Sequence, residues 1–92
     1  MSETRYFRVT GTVQGVGFRA ATQAEARRLD LAGWVANRPD GDVEVTAAGP
    51  AEALDTLARW LGHGPAGAVV REIAETGVAD TQTVLQQPFE IR

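Results

Sequence analysis

The chain has 92 residues, of which 43% are hydrophobic and 23% are charged, and it contains no cysteine. A chain of this length forms one hydrophobic core, and its composition excludes disordered, fibrous, disulfide-stabilised and thiolate-metal classes. Its formal net charge of −3 argues against a nucleic-acid or anionic-membrane partner, because both require a basic surface.

The chain starts without an apolar signal-peptide run, and no stretch of it approaches the length of a membrane span. The absence of cysteine fits a reducing compartment. We therefore expect a cytoplasmic protein in which residues 1–92 form a single domain.

The first half of the chain alternates between strand and helix patterns. Apolar and polar residues alternate from Tyr6 to Val13, which predicts a half-buried strand. Residues 14–17 break this pattern, and apolar residues then recur at helical steps from Phe18 to Leu29. The runs Leu31–Asn37 and Asp42–Ala47 predict a hairpin.

The loop of this hairpin has a specific turn chemistry. Pro39 supplies a preset φ, and Gly41 stands where a left-handed residue is needed. This order predicts a type I turn closed by a bulge.

A second helix is predicted from Gly49-Pro50 to Gly62, with an apolar stripe formed by Leu54, Leu57 and Leu61. A fourth strand from about Ala68 to Thr76 changes phase, which predicts a bulge near Arg71. The polar stretch Thr76–Pro88 is expected to be irregular, and Phe89–Arg92 to form a final short strand. The order βαββαβ plus a tail strand predicts an α+β ferredoxin-like sandwich, an antiparallel sheet with two helices on one face.

The segment Gln14–Arg19 carries the candidate chemistry. Its two glycines allow backbone amides to converge, and the positive end of the following helix completes an anion-binding loop. Arg19 is opposed by the helix dipole in the first turn, but its guanidinium can reach two oxygens of a phosphate bound over the amides. On these grounds alone, a tight turn and a solvated surface arginine remain alternative interpretations.

Three segments carry a resemblance to a known family. Gly11–Arg19, with the sequence GTVQGVGFR, resembles the first signature of the acylphosphatase family, and Gly33–Glu44 resembles its second. Gly64-Pro65, followed by Ala68 and Val70, is similar to a later motif of the family. The resemblance covers about Tyr6 to Val70 and implies a hydrolase of acyl phosphates.

The resemblance also implies the roles of individual residues. Arg19 takes the place of the phosphate-binding arginine, and Asn37 that of the asparagine that positions the attacking water. The remaining phosphate contacts come from the backbone of Gly15, Val16, Gly17, Phe18 and Arg19. The implied reaction is in-line attack of water without a metal or other cofactor, with inorganic phosphate as product and competitive inhibitor, and we expect the protein to act as a monomer.

The chain departs from the family pattern at a few positions. Asp30 stands where the family usually has glycine, so the end of the first helix is expected to be strained or differently capped. Ala20 and Ala21 replace bulkier residues, and the chain ends at Arg92 where many relatives have one more aromatic residue. These departures concern stability and the walls of the pocket rather than the two catalytic positions.

Two other functions are alternatives to the enzyme. A non-catalytic small-anion-binding ferredoxin-like regulatory module would need the loop and Arg19, but would have no use for Asn37. An RNA-binding domain of the same strand order would need stacking aromatics on its central strands and a basic surface. The single histidine, His63, lies in a glycine-proline loop and is interpreted as a surface residue.

Overall fold

A computed structural model describes residues 2–78 and 87–92 of the chain. The elements in order are β1 (Ser2–Thr12), α1 (Phe18–Arg28), β2 (Ala32–Asn37), β3 (Val43–Pro50), α2 (Ala51–Leu61), β4 (Val69–Gly77) and β5 (Glu90–Ile91). The described helices do not include one that is both long enough and apolar enough to cross a bilayer.

The strands form one sheet in the order β4-β1-β3-β2-β5. The pairs β1–β3, β1–β4 and β2–β3 are antiparallel, whereas β5 pairs with β2 in parallel. The predicted ferredoxin-like α+β fold is confirmed, with a mixed sheet because of this one parallel pair. A tail strand of two residues carries no alternation that would indicate its direction.

The core lies between the sheet and the two helices. Helix α1 packs on β2, and α2 packs on β3 and β1. The apolar stripes identified from the sequence are buried there, including Phe7 and Val9 of β1, Val43 and Val45 of β3, and Leu54, Leu57 and Leu61 of α2. Full burial of one such side chain contributes about 1.5–3 kcal/mol, so these stripes fix which face of each strand meets the helices.

The bulge predicted near Arg71 is confirmed in β4. Thr10 pairs with Glu72 and Gly11 with Val70, so Arg71 is the extra residue between them. The bulge shifts the register of β4 by one position and returns Val70 to the apolar side, where it packs partly buried against the core.

Some predicted boundaries are wrong by a few residues. Strand β1 starts at Ser2 rather than Tyr6, because residues 2–5 continue the antiparallel pairing with β3, from Ser2 opposite Pro50 to Arg5 opposite Ala47. Strand β3 continues to Pro50, so α2 begins at Ala51. Of the predicted irregular stretch 76–88, residues 79–86 lie outside the described residues.

The end of α1 shows the strain expected from Asp30. Asp30 has a φ of 57°, a left-handed conformation that glycine adopts at much lower cost. The helix cap is nevertheless complete, because Asp30 N donates to the Arg27 carbonyl at 3.1 Å and Leu31 N to the Ala26 carbonyl at 2.9 Å. The substitution therefore costs conformational energy without loss of cap hydrogen bonds.

Candidate active site

The loop between β1 and α1 contains two glycines in the left-handed backbone conformation. Gly15 has a φ of 76° and Gly17 a φ of 77°, and Gly17 is the N-cap of α1. A Cβ at either position would meet no atom within 4 Å, so the conformation rather than crowding requires glycine. The Ala21 amide donates to the Gly17 carbonyl at 3.0 Å, which closes the first helical turn directly after the loop.

The N-terminus of α1 leaves amide donors available. Gly17 makes no side-chain cap, and the first turn of α1 contains no acidic residue. The amides of Phe18, Arg19 and Ala20 have no intrahelical acceptor in an α-helix. These donors and the positive end of the helix dipole favour an anion at this position.

A pocket of about 190 Å³ lies over this helix end. It is lined by Val13, Gly15, Gly17, Phe18, Arg19, Ala20, Asn37 and Ile91. Its volume is about six times the volume that one molecule occupies in liquid water, so it suits a small ligand such as a phosphoryl group with a short substituent.

The pocket brings together most of the residues selected from the sequence. Gly15, Gly17, Phe18, Arg19 and Asn37 line it together, although Asn37 comes from a different part of the sheet. Val16 is placed differently, because its side chain packs partly buried against the core. Its predicted part in phosphate binding therefore concerns the backbone only.

The Arg19 guanidinium lacks a counter-ion in the described part of the chain. Arg19 is the second residue of α1 and is partly exposed, and it forms neither a salt bridge nor a side-chain hydrogen bond there. Five other arginines are ion-paired, namely Arg5, Arg8, Arg28, Arg38 and Arg92. The charge of Arg19 thus remains available to an anion in the pocket.

Asn37 is the last residue of β2 and pairs with Val43 across the hairpin. Its side chain is exposed and makes no hydrogen bond to the residues that the structure describes. The predicted turn follows directly: Gly41 N donates to the Arg38 carbonyl at 3.1 Å, and Gly41 has a φ of 98°. The pairing at the strand end therefore holds the Asn37 backbone in place, and the side-chain amide remains available to a ligand in the pocket.

Phe18 joins the loop to the core and is only 1% exposed. Its ring lies 5.8 Å from that of Trp60 between centroids, at 51°. A Cβ at Gly64 would lie 2.7 Å from Phe18 Cε2, so glycine is required for this close approach. The packing of Trp60 and Gly64 against the Phe18 ring therefore holds the first residue of α1 in place.

Charged side chains surround the turn after Asn37. Arg8 bonds to Asp42 at 2.7 Å and also pairs with Asp40, and Arg38 lies 3.1 Å from Asp40 and 3.2 Å from Glu44. The pKa of Asp40 is lowered, chiefly by the hydrogen bond from the Asp42 amide and then by Arg38. The ionised form of Asp40 is thus favoured in the folded turn.

Three pocket residues were not selected as site residues from the sequence. Val13 and Ala20 flank the loop, and the sequence indicates Ala20 only as part of the pocket walls. Ile91, 39% exposed, reaches the pocket because β5 pairs with β2, with Ile91 opposite Val35. The sequence predicts the tail strand that contains Ile91, but it does not indicate which strand this tail strand joins.

His63 is exposed, and its amide donates to the Trp60 carbonyl at the end of α2. It is not among the described residues that line the pocket. Within residues 2–78 and 87–92, no group of three or more histidine, aspartate or glutamate side chains is placed to hold a metal ion.

Comparison with known proteins shows the family of the chain. The acylphosphatase family model matches residues 5–91. An acylphosphatase of Burkholderia thailandensis is 56% identical over 71 residues, which cover 77% of this chain and 72% of that protein.

Solved structures give the same result. The acylphosphatase of Bacillus subtilis is 38% identical with a TM-score of 0.90, and the match covers 100% of this chain and 99% of that one. An acylphosphatase from Coxiella burnetii is 33% identical with a TM-score of 0.88, and the match covers 99% and 93% of the two chains. The chain belongs to the acylphosphatase family.

Proposed function

We propose that the pocket between the β1–α1 loop and Asn37 is where this hydrolase cleaves acyl phosphates to a carboxylate and inorganic phosphate. One observation carries the proposal: Arg19, which has no partner among the described residues, lies beside an uncapped helix N-terminus, and the Asn37 side chain lines the same pocket. Together these provide an anion site with a polar group beside it.

The phosphoryl group binds at the loop. Its oxygens accept hydrogen bonds from the backbone amides of residues 15–19, and the planar Arg19 guanidinium donates to two of them. Phosphoryl transfer spreads negative charge over the equatorial oxygens in the transition state. The amides and Arg19 are fixed before the reaction, so they stabilise this charge with little reorganisation.

Asn37 positions the attacking water. Its side-chain carbonyl accepts a hydrogen bond from the water and aligns it with the bond to be broken. The water oxygen forms the new P–O bond, a phosphate oxygen takes the proton, and the bond from phosphorus to the acyl oxygen breaks. The leaving carboxylate has a conjugate acid with a pKa of about 4 and departs without a general acid, so the step requires no metal.

The apolar pocket residues contact the acyl group. Ile91 and Ala20 line the pocket together with the polar groups, and neither can bind the phosphate through its side chain. They offer apolar surface to the part of the substrate that does not react. Inorganic phosphate, which retains only the phosphoryl half of these contacts, is expected to inhibit competitively.

We further propose that the protein acts in the cytoplasm as a monomer. The absence of cysteine fits the reducing environment of that compartment. The non-catalytic anion-binding module is not favoured, since its pocket would have no use for the Asn37 amide and the relatives are named as acylphosphatases.

The proposal is tested by phosphate release from acetyl phosphate and carbamoyl phosphate, with a phosphate monoester as the control substrate. We expect hydrolysis of the acyl phosphates only, because the alkoxide leaving group of a monoester needs protonation that the pocket does not supply. Equal hydrolysis of the monoester would contradict the mechanism.

A further inference from the structure

The Gln14 side chain connects the phosphate-binding loop, residues 15–19, to the β2–β3 turn that follows Asn37. It lies between the end of β1 and Gly15, and its Nε2 donates to the Arg38 carbonyl at 2.8 Å and to the Asp42 carbonyl at 2.9 Å. Both acceptors are carbonyl oxygens, so only the NH₂ end of the amide can face them. Both hydrogens of that NH₂ group are therefore used across the β2–β3 turn.

The turn has its own internal hydrogen bonds, but these set only its shape. Arg38 N donates to the Asp42 carbonyl at 2.8 Å, and Gly41 N donates to the Arg38 carbonyl. Neither bond reaches the phosphate-binding loop. The bonds from Gln14 do, because Gln14 precedes Gly15 directly and Arg38 follows Asn37 directly.

Ion pairs of Arg8 form a second connection between β1 and the turn. Arg8 of β1 pairs with the carboxylates of Asp40 and Asp42, and the exposed fractions of the three side chains are 41% for Arg8, 40% for Asp40 and 14% for Asp42. Exposed ion pairs on long side chains contribute little and are screened by salt. Gln14 bonds to backbone carbonyls of the turn and directly precedes Gly15, whereas Arg8 reaches the turn through carboxylate side chains and lies several residues before the loop. Gln14 therefore links the turn to the loop more directly than Arg8 does.

We propose that Gln14 is a positioning residue that sets the separation between the phosphate-binding loop and the Asn37 amide. This inference rests on the proposed role of Asn37 in aligning water. Loss of the two bonds frees the turn to move relative to the loop, and a displacement of about 1 Å is enough to lower the rate about a hundredfold. Phosphate binding, which depends on the loop amides and Arg19, is retained.

The first test is Gln14→Met, which keeps the length of the side chain and removes both donors. We expect kcat to fall by about tenfold to a hundredfold, while the inhibition constant of inorganic phosphate changes by less than about twofold. Gln23→Met is the matched control, because Gln23 Nε2 also donates to a backbone carbonyl, that of Phe89 at 3.2 Å, and neither residue is among those that line the pocket. Arg27 Nε donates to the same carbonyl at 2.9 Å and keeps it bonded in the control. The control should keep wild-type kcat.

The second test asks whether Gln14 acts through Asn37. In an Asn37→Ala background, Gln14→Met should change kcat by less than about twofold, whereas in an Arg19→Lys background it should cost as much as in the wild type. Equal cost in both backgrounds, wild-type kcat in the single variant, or parallel loss of phosphate affinity would each overturn the proposal. If Gln14→Met does not fold, Gln14→Asn, whose amide is too short to reach the turn, replaces it with the same expected results.

Failure of this inference is distinguishable from failure of the proposed function. The variant Asn37→Ala alone reports whether the asparagine is needed, independently of Gln14. A strong effect of Asn37→Ala with no effect of Gln14→Met removes the positioning role and leaves the catalytic proposal standing. No effect of Asn37→Ala removes the role of Asn37, and with it the basis for the role of Gln14.

Discussion

Replacement of Asn37 by alanine tests the proposed step that would distinguish hydrolysis from phosphate binding. Asn37 ends β2, lines the pocket and makes no side-chain hydrogen bond within the described ranges. Asn37→Ala therefore removes the side-chain amide that we propose positions the water, while the backbone pairing with Val43 is unaffected. We expect the melting temperature to change little, because an exposed amide at a strand end contributes little packing.

The expected effect on the rate follows from the proposed contact. If Asn37 aligns the water and does not touch the phosphoryl oxygens, its loss reduces transition-state stabilisation and leaves ground-state phosphate binding nearly unchanged. Loss of alignment costs on the order of a hundredfold in kcat, which corresponds to about 2.7 kcal/mol in the activation free energy.

The assay is steady-state phosphate release from acetyl phosphate, with the inhibition constant of inorganic phosphate measured on the same preparation. Thermal melting reports whether the variant is folded. Wild-type kcat in a folded variant would refute the water-positioning role. Equal losses of kcat and phosphate affinity would place Asn37 at the phosphoryl group instead.

Three further predictions concern the arginine, the metal requirement and the end of α1. Arg19→Lys should weaken both turnover and phosphate inhibition, because an ammonium cannot copy the planar two-point contact; Arg71→Lys, on the exposed bulge of β4, is the control, and unchanged kinetics would remove Arg19 from the site. Chelators should leave turnover unchanged; loss of activity that an added divalent ion restores would contradict the mechanism. Asp30→Gly should raise the free energy of unfolding by about 0.5–1 kcal/mol and the melting temperature by a few degrees with unchanged kcat. Relief of the left-handed strain, about 1–2 kcal/mol, exceeds the cost of the greater freedom of glycine in the unfolded chain, about 0.4–1 kcal/mol. An unchanged or lower melting temperature would contradict this prediction.

Local patterns in the sequence were sufficient for most of the fold. The phase change in β4 predicted the bulge at Arg71, and the order of Pro39 and Gly41 predicted the turn after β2. Both features depend on the conformational preferences of a few adjacent residues. The resemblance to the acylphosphatase signatures then selected Arg19 and Asn37, which line one pocket.

The features that were missed depend on long-range contacts. Ile91 reaches the pocket only because β5 joins β2 in parallel, and two residues carry too little pattern to specify a partner strand. Gln14 bonds to carbonyls 24 and 28 positions away, and backbone acceptors leave no trace in the sequence. The early start of β1 likewise depends on a long-range contact, its pairing with residues 47–50 of β3.

The central claim is tested most directly by the rate of phosphate release from acetyl phosphate by the wild-type protein, measured with increasing inorganic phosphate and compared with a phosphate monoester. Hydrolysis of acetyl phosphate that phosphate inhibits competitively, with no hydrolysis of the monoester, is the result that we predict. Saturable phosphate binding without hydrolysis of any acyl phosphate would contradict the account and assign the pocket to a non-catalytic anion site.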